Sequence, residues 1–396
     1  MKPRVLVTDG DQRAALAVVR SLGRAGYQVA VAAPRTPSLA GASRWAASER
    51  QVPDPLRDPA GFVDAVAAMA YAESAQLLLP MTDASLLALL GARERFPGIS
   101  LPFPSLDVFH RVADKQLVLA TARTAGIAVP EQRVIATRAE ASNLGAATLS
   151  YPLVLKPARS VSGVGSHRQK FGVRHIEGPE QLRAVLGDLP PQAFPVLLQQ
   201  RIVGPGVGIF LLVWNGRTRA VFAHRRLREK PPSGGVSVYR ESIPADSVLV
   251  ERSRSLLDAL GFEGVAMVEY KIEAASGTPY LMEINGRFWG SLQLAVDAGV
   301  DFPRLLAGLA LGGDPGPVPA YRSGVRSRWW WGDVDQLLAR LIRPRAKLAL
   351  PPGEPGRLRS LREFLALWRP GDRNEILRRD DPQPFVRETL DWFRRR

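Results

Sequence analysis

A carboxylate, an amide and a guanidinium recur at every second position in Leu281-Met282-Glu283-Ile284-Asn285-Gly286-Arg287. Side chains two apart on a strand share a face, so Glu283, Asn285 and Arg287 project together while Met282, Ile284 and Gly286 face away. A carboxylate and an amide oxygen are hard ligands suited to Mg²⁺, which keeps several waters and shares its shell with substrate phosphates. An arginine beside them can hold a phosphate bidentately. Upstream, Ala266-Met267-Val268-Glu269-Tyr270-Lys271 carries a second carboxylate on an apolar run. The turn-like residues 273–278 join the two runs into a hairpin that sets Glu269 beside Glu283. An exposed strand face with ordinary cross-strand pairs has the same local pattern, so the rest of the chain must decide.

A second set of groups suits phosphate. Residues 151–157 read as a strand carrying one inward lysine, Lys156, and feed the loop Ala158-Arg159-Ser160-Val161-Ser162-Gly163-Val164-Gly165-Ser166. Small residues such as Ser162 and Gly163 let backbone N–H groups approach phosphate oxygens, and the lysine adds a point charge. The lysine precedes the glycines, so this is not the Walker arrangement. Further on, His224-Arg225-Arg226-Leu227-Arg228-Glu229-Lys230-Pro231-Pro232-Ser233-Gly234-Gly235 reads either as a mobile anion-binding loop or as a solvated basic one. Alternation puts Arg226 and Arg228 on one face and Arg225 outward. With three arginines against Glu229 and no aromatic cluster in the segment, a small anionic substrate, polyanionic or amino-acid-like, is expected.

The elements that must position these groups follow from periodicity. Residues 1–105 alternate strands (5–8, 29–32, 76–80) with helices (14–25, 62–71, 84–95), which predicts an open parallel α/β sheet. Ligands of such sheets bind at the carboxyl ends of the strands. The loops Thr8-Asp9-Gly10-Asp11 and Met81-Thr82-Asp83 lie there, with Asp11 and Asp83 either capping the next helices or meeting substrate. The dinucleotide fingerprint G-x-G-x-x-G is missing after the first strand. Residues 106–195 form a second unit, with Lys115 in a helical run. Residues 196–318 form a third, with strands 209–214 and 219–223 joined by an Asn215-Gly216 hairpin turn, then a helix, the carboxylate hairpin and a further helix. Residues 319–396 are a basic Trp/Arg-rich extension, expected to be a helical appendage packed on the body.

Composition narrows the class. The 396 residues suffice for two or three packed units. There is no cysteine, so disulfides and thiolate chemistry are excluded, and the four histidines lack zinc spacing. The chain enters Arg4-Val5-Leu6-Val7 without a signal-like segment, and a cytoplasmic protein is expected. The formal charge is +15, and the residues from Tyr321 onward hold 18 Lys and Arg against 10 Asp and Glu. Such a balance suits a polyanionic partner, but a small anionic substrate together with an arginine-rich composition accounts for it better than nucleic acid does. Peripheral membrane contact through the tail stays open, as does the oligomeric state, a homodimer included.

The order of these parts resembles the ATP-grasp superfamily, and within it the carboxylate–amine or carboxylate–thiol ligases. Asp114-Lys115, the strand to Pro157 with its Gly/Ser loop, the stretch 197–208, the segment ending Pro232-Ser233-Gly234-Gly235, and Glu269 before Glu283-Ile284-Asn285-Gly286-Arg287 run in the family's order over residues 1–315. The resemblance implies a pre-ATP-grasp domain at 1–105, a small lobe at 106–195 and a large lobe at 196–318. It does not cover the extension at 319–396. It further implies that Lys115 and Lys156 bind ATP phosphates, with Ser162 and Gly163 in the phosphate loop. Gln199, Gln200, Arg201 and Ile202 would form the adenine-reading hinge. Glu269, Glu283 and Asn285 would hold Mg²⁺ (or Mn²⁺), and Arg287, helped by Arg226 and Arg228, would steady the transferred phosphoryl group. Gln200 stands where the family usually has a ribose-binding glutamate, which weakens nucleotide binding without abolishing it. The implied reaction activates a carboxylate as an acyl phosphate and joins it to an amine, releasing ADP and phosphate. The alternatives are an ATP-grasp carboxylase or kinase, or a non-catalytic nucleotide sensor that binds nucleic acid or anionic membrane through the basic tail.

Overall fold

The computed structural model describes residues 2–395 except 163–167, 317, 352, 367, 368 and 370, and of Ser162 and Ala346 it describes the backbone alone. The N-terminal sheet is parallel, in the order Ala46–Gln51, Gln28–Ala33, Arg4–Val7, Leu77–Leu79. Three of these strands carry the apolar runs that periodicity detects. The fourth, Ala-Ala-Ser-Glu-Arg-Gln, is a polar edge strand and lacks that signal. The helix Arg13–Arg24 buries every residue from Ala14 to Leu22, Arg20 included, because the sheet lies on one side and the C-terminal chain on the other.

A seven-stranded sheet forms the centre, in the order Pro279–Asn285, Gly264–Ile272, Gly206–Trp214, Arg217–Lys230, Val236–Ser242, Arg326–Arg328, Asp372–Asn374. Its strand Gly206–Trp214 is apolar on both faces. Phe210 and Leu212 join the N-terminal core, while Ile209, Leu211 and Val213 join the core under the helices Lys115–Thr124 and Ser247–Ala259. Full burial of each such side chain is worth roughly 1.5–3 kcal/mol, so this one strand binds two cores together.

The small lobe has its own antiparallel sheet, Gln132–Ile135, Val196–Gln200, Leu153–Pro157, Arg174–Ile176, and its own core under the helices Arg138–Ser142 and Pro179–Asp188. The helix bearing Lys115 packs in the core under the large sheet, where Leu197 of the small-lobe sheet joins it.

The extension contains the expected helices, Trp330–Ile342, Arg357–Leu365 and Gln383–Arg394. It is more than an appendage, since it also supplies the last two strands of the large sheet. Beyond them the chain returns to the N-terminal domain, where Arg20 donates to Asp381 at 2.8 Å and Arg13 to Glu375 at 2.7 Å. Many of its arginines are committed inside the fold, among them Arg328 to Asp333 at 2.5 Å and Arg378 to Asp297 at 2.6 Å. That weakens the case for a nucleic-acid or membrane-binding tail. Among the described residues no helix is long and apolar enough to cross a membrane.

Candidate active site

The two acidic runs form the expected hairpin, with Glu269 directly opposite Glu283. The alternation of the second strand is broken, however. Tyr270 pairs with Leu281, so Met282 is an extra residue, a bulge that turns it into the same cavity as Glu283 instead of away from it. Asn285 donates to Glu283 Oε1 at 3.1 Å, and its Oδ1 accepts from Arg287 at 3.3 Å. The strand ends at Asn285, and Arg287 reaches back into the cavity from the turn that follows.

Cations close around this pair. Lys115 Nζ lies 3.4 Å from Glu283 Oε2 and donates to Ser160 Oγ at 3.0 Å. Lys156 projects from the small-lobe strand, with its Nζ 4.0 Å from Met282 Sδ. Burial pulls the Lys156 ammonium below its ordinary pKa, opposed by the Glu283 charge. For Glu283, burial opposes ionisation, but Lys115 and Lys156 outweigh it and hold the carboxyl down to about 2. Glu269 moves the other way: burial raises it, Arg226 opposes this, and the neighbouring Glu283 and Glu229 raise it further. The cavity holding these groups has a volume of about 1120 Å³ and lies between the small-lobe sheet, the large sheet and the loop after Lys230. A second cavity of about 530 Å³ adjoins it, lined by Asp83, Lys115, Ser160 and Asn285.

The three arginines before the loop do not act as one patch. Two register shifts, between Arg226 and Arg228 and between Arg228 and Glu229, send them to different partners and overturn the expected shared face. Arg225 pairs with Glu241 at 2.6 Å on the outer side. Arg226 enters the cavity, bonding Glu229 at 2.7 Å, the Gly235 carbonyl at 2.9 Å, and Glu269. It crosses the strand between them over Gly206, where a Cβ would stand 2.8 Å from Arg226 Cδ. Arg228 lies outside the cavity lining and is clamped by both oxygens of Asp333, at 2.7 and 2.6 Å, beneath the helix Trp330–Ile342. The expected catalytic role for Arg228 is replaced by a structural one. With all three arginines partnered, the ground for a polyanionic substrate falls as well.

The segment Gln199 to Ile202 borders the large cavity. The Gln199 side chain is buried on the face of the small-lobe sheet that carries Lys156, and it donates to Gln132 at 2.7 Å. Gln200 is exposed, and Arg201 pairs with Glu177 at 3.1 Å and bonds the Ala349 carbonyl in the extension. Ser162 lies in the short strand Val161–Ser162, and Gly163 falls outside the described residues.

The N-terminal domain contributes what sequence could only offer as a choice. Thr82 caps the helix Asp83–Leu90 by accepting from Ser85 N, which frees Asp83. Asp83 receives Arg287 Nε at 2.7 Å, so the guanidinium is aimed from another domain. Burial opposes the Asp83 charge, yet Arg287 and Lys115 hold its pKa below the ordinary value. Asp9 ties the two ligand-side loops together, accepting from Met81 N at 3.0 Å and Thr82 Oγ1 at 3.0 Å. Met282 and Glu229 also went undetected as cavity residues, because a bulge has no mark in the residue pattern.

Comparison with known proteins agrees with this geometry. Residues 192–332 match the family described as ATP-grasp in the biosynthetic pathway with Ter operon. The D-alanine–D-alanine ligase of Anaeromyxobacter dehalogenans is 30% identical over 216 residues, 50% of this chain and 67% of that protein. The vancomycin B-type resistance protein VanB of Enterococcus faecalis is 28% identical over 53% of this chain, which spans 64% of its length. The putative D-alanine–D-lactate ligase of Streptomyces coelicolor is spanned over 55% of its length, at 29% identity. In fold, the chain is similar to the L-amino acid ligase from Bacillus licheniformis, with a TM-score of 0.60, 20% identity, and 78% of this chain and 74% of that one covered. Together with the carboxylate hairpin and its ring of cations, these likenesses establish that the chain belongs to the ATP-grasp superfamily.

Proposed function

We propose that the protein is an ADP-forming ligase that uses ATP and Mg²⁺ to join the carboxylate of one small molecule to the amine of another. The observation that carries this reading is the cross-strand pair Glu269 and Glu283 sharing one cavity with Lys156, Arg226 and Arg287, with Lys115 against Glu283. The donor set fits a divalent cation: two facing carboxylates, one pushed up and one held down, and the Asn285 amide oxygen. Glu269, Glu283 and Asn285 would hold the ion, which when bound supplies neutralisation of phosphate charge.

The protein's own groups do the rest. Lys115 and Lys156 bind phosphate oxygens, and Lys156 suits this because a thioether 4.0 Å away leaves its charge poorly satisfied. The backbone of 199–202 meets the adenine. Arg287, steadied by Asp83, orients the γ-phosphoryl group. A carboxylate oxygen attacks the γ-phosphorus, and the bond to the ADP oxygen breaks. The amine nitrogen then attacks the acyl carbon and loses a proton, and phosphate leaves with one of the original carboxylate oxygens. The loop after Lys230 excludes water from the acyl phosphate. Arg226 joins the Gly235 carbonyl of that loop to Glu269, so the loop and the carboxylate pair are mechanically linked.

The test is release of ADP and phosphate by the purified protein with Mg²⁺ and ATP, over paired panels of carboxylates and amines. Stoichiometric ADP with amide product supports the reading. AMP and pyrophosphate with every active pair overturns it.

A further inference from the structure

Beside the carboxylate cavity lies a third chamber, of about 930 Å³. Arg13, Lys230, Pro231, Pro232, Val236 and Arg343 border both, so the loop that closes over one is a wall of the other. Its remaining walls come from the loops after the first two N-terminal strands and from the extension that the family resemblance leaves unexplained.

The lining is chemically specific. Trp331 and Trp392 stack with ring centroids 4.2 Å apart. Their indole N–H groups are tied back, Trp331 to Thr389 at 2.9 Å and Trp392 to Asp335 at 2.9 Å, which fixes the rings and leaves carbon surface to the chamber. Trp329 is fixed likewise by Glu388 at 2.6 Å, with Arg13 3.9 Å over its ring. Ile342 and Val236, 71% and 53% exposed, add aliphatic surface to the chamber wall that water now covers. Aromatic and aliphatic groups line one part of the chamber and charged residues of both signs the rest, and a cavity of this size with convergent groups suits a small molecule.

Asp11 is the carboxylate of the chamber least committed elsewhere. It lies at the carboxyl end of the first parallel strand, where ligands of such sheets bind. Gln12 takes the N-cap position of the next helix, so Asp11 does not cap it. Its ion pair, with Arg35, is long at 3.7 Å, and Arg35 is itself exposed. Burial raises the Asp11 pKa, so a partner cation arriving at this carboxylate would relieve a real cost.

We propose that this chamber is the acceptor site, and that it takes an amine bearing a bulky aromatic or branched apolar group, the apolar body against Trp331, Trp392 and Ile342 and the ammonium first met at Asp11, before its nitrogen gives up a proton and moves into the adjoining carboxylate cavity to react. The proposal rests on the ligase reading for its reaction, though not for its binding. The extension then sets substrate size.

Two measurements test it. The first is saturable change of tryptophan fluorescence on adding phenylethylamine or ethylamine without ATP. The second is ADP release with each amine in the presence of a carboxylate panel. Phenylethylamine should bind at least tenfold more tightly than ethylamine. Asp11→Asn should raise its apparent Kd or KM about tenfold, and Ile342→Ala, at an exposed position that the fold tolerates, a few-fold, with the KM for ATP unchanged. If no pair releases ADP but phenylethylamine binds in an Asp11-dependent way, the chamber stands and the ligase reading falls. If ADP release favours ethylamine equally, or neither variant shifts phenylethylamine, the chamber proposal is overturned while the ligase reading stands.

Discussion

Two groups of buried charge in this protein both set cations against carboxylates and are satisfied differently. At the junction of the extension with the body, Arg20 donates to Asp381 Oδ2 and to the carbonyls of Ile376 and Asp381 at 2.8 to 2.9 Å, and Asp381 accepts Ser43 and Arg44 N as well. Almost every lone pair and proton there has a protein partner. In the carboxylate cavity the pairings are looser or shared: Lys115 lies 3.4 Å from Glu283, Lys156 touches a thioether, and Glu269 shares one arginine with Glu229. The first group is complete without a ligand. The second has cation capacity left over, which is what a polyphosphate would use. Buried ion pairs are weak arguments for stability in themselves, but breaking one is costly, so the comparison can be tested by breaking both groups.

The largest expected effect is on turnover. Glu283→Gln, nearly isosteric, should lower kcat at least 1000-fold, roughly 4 kcal/mol of transition-state stabilisation, with Tm within a few degrees of wild type. Asp381→Ala should do the reverse. It leaves Arg20 buried without its carboxylate and should cost about 3–5 kcal/mol of stability, read by urea unfolding, while activity per folded molecule changes less than twofold. If Asp381→Ala lost turnover without losing stability, the division between the two groups would be wrong.

Asp83→Asn separates aim from charge. Arg287 would keep one hydrogen bond but lose its ionic partner, so kcat should fall about 10- to 100-fold, some 1.4–2.7 kcal/mol, with little change in the KM for ATP. A rise in that KM with kcat preserved would place Asp83 in nucleotide binding instead.

How legible these regions were follows from how local their causes are. The Glu269–Glu283 pair could be read because period-2 alternation and a turn are short-range signals, and the lysine strand likewise. The contact of Arg287 with Asp83 spans 204 residues and leaves no local trace. Met282 and the parting of Arg226 from Arg228 depend on register shifts that the residue pattern does not encode. The strands Arg326–Arg328 and Asp372–Asn374 are three polar residues each, too short for any periodicity, so the extension reads as helical although it completes the central sheet.

The smallest effect expected concerns Glu388, at the edge between the two groups. Burial raises its pKa from the ordinary 4.5 to about 7, against the opposing bond from Trp329. The native state therefore keeps a proton that the unfolded chain has already lost between pH 4.5 and 7. Native-state binding of the extra proton means that this residue's contribution is fully present below about pH 4.5 and is lost as pH rises toward 7, on the order of 1 kcal/mol once solvent at its partly open face is allowed for. Glu388→Gln cannot ionise and still offers an oxygen to Trp329. Its Tm relative to wild type should climb across pH 5 to 8 and level off above. A flat difference over that range would mean that Glu388 ionises normally, and that the floor beneath Trp329 is open to water.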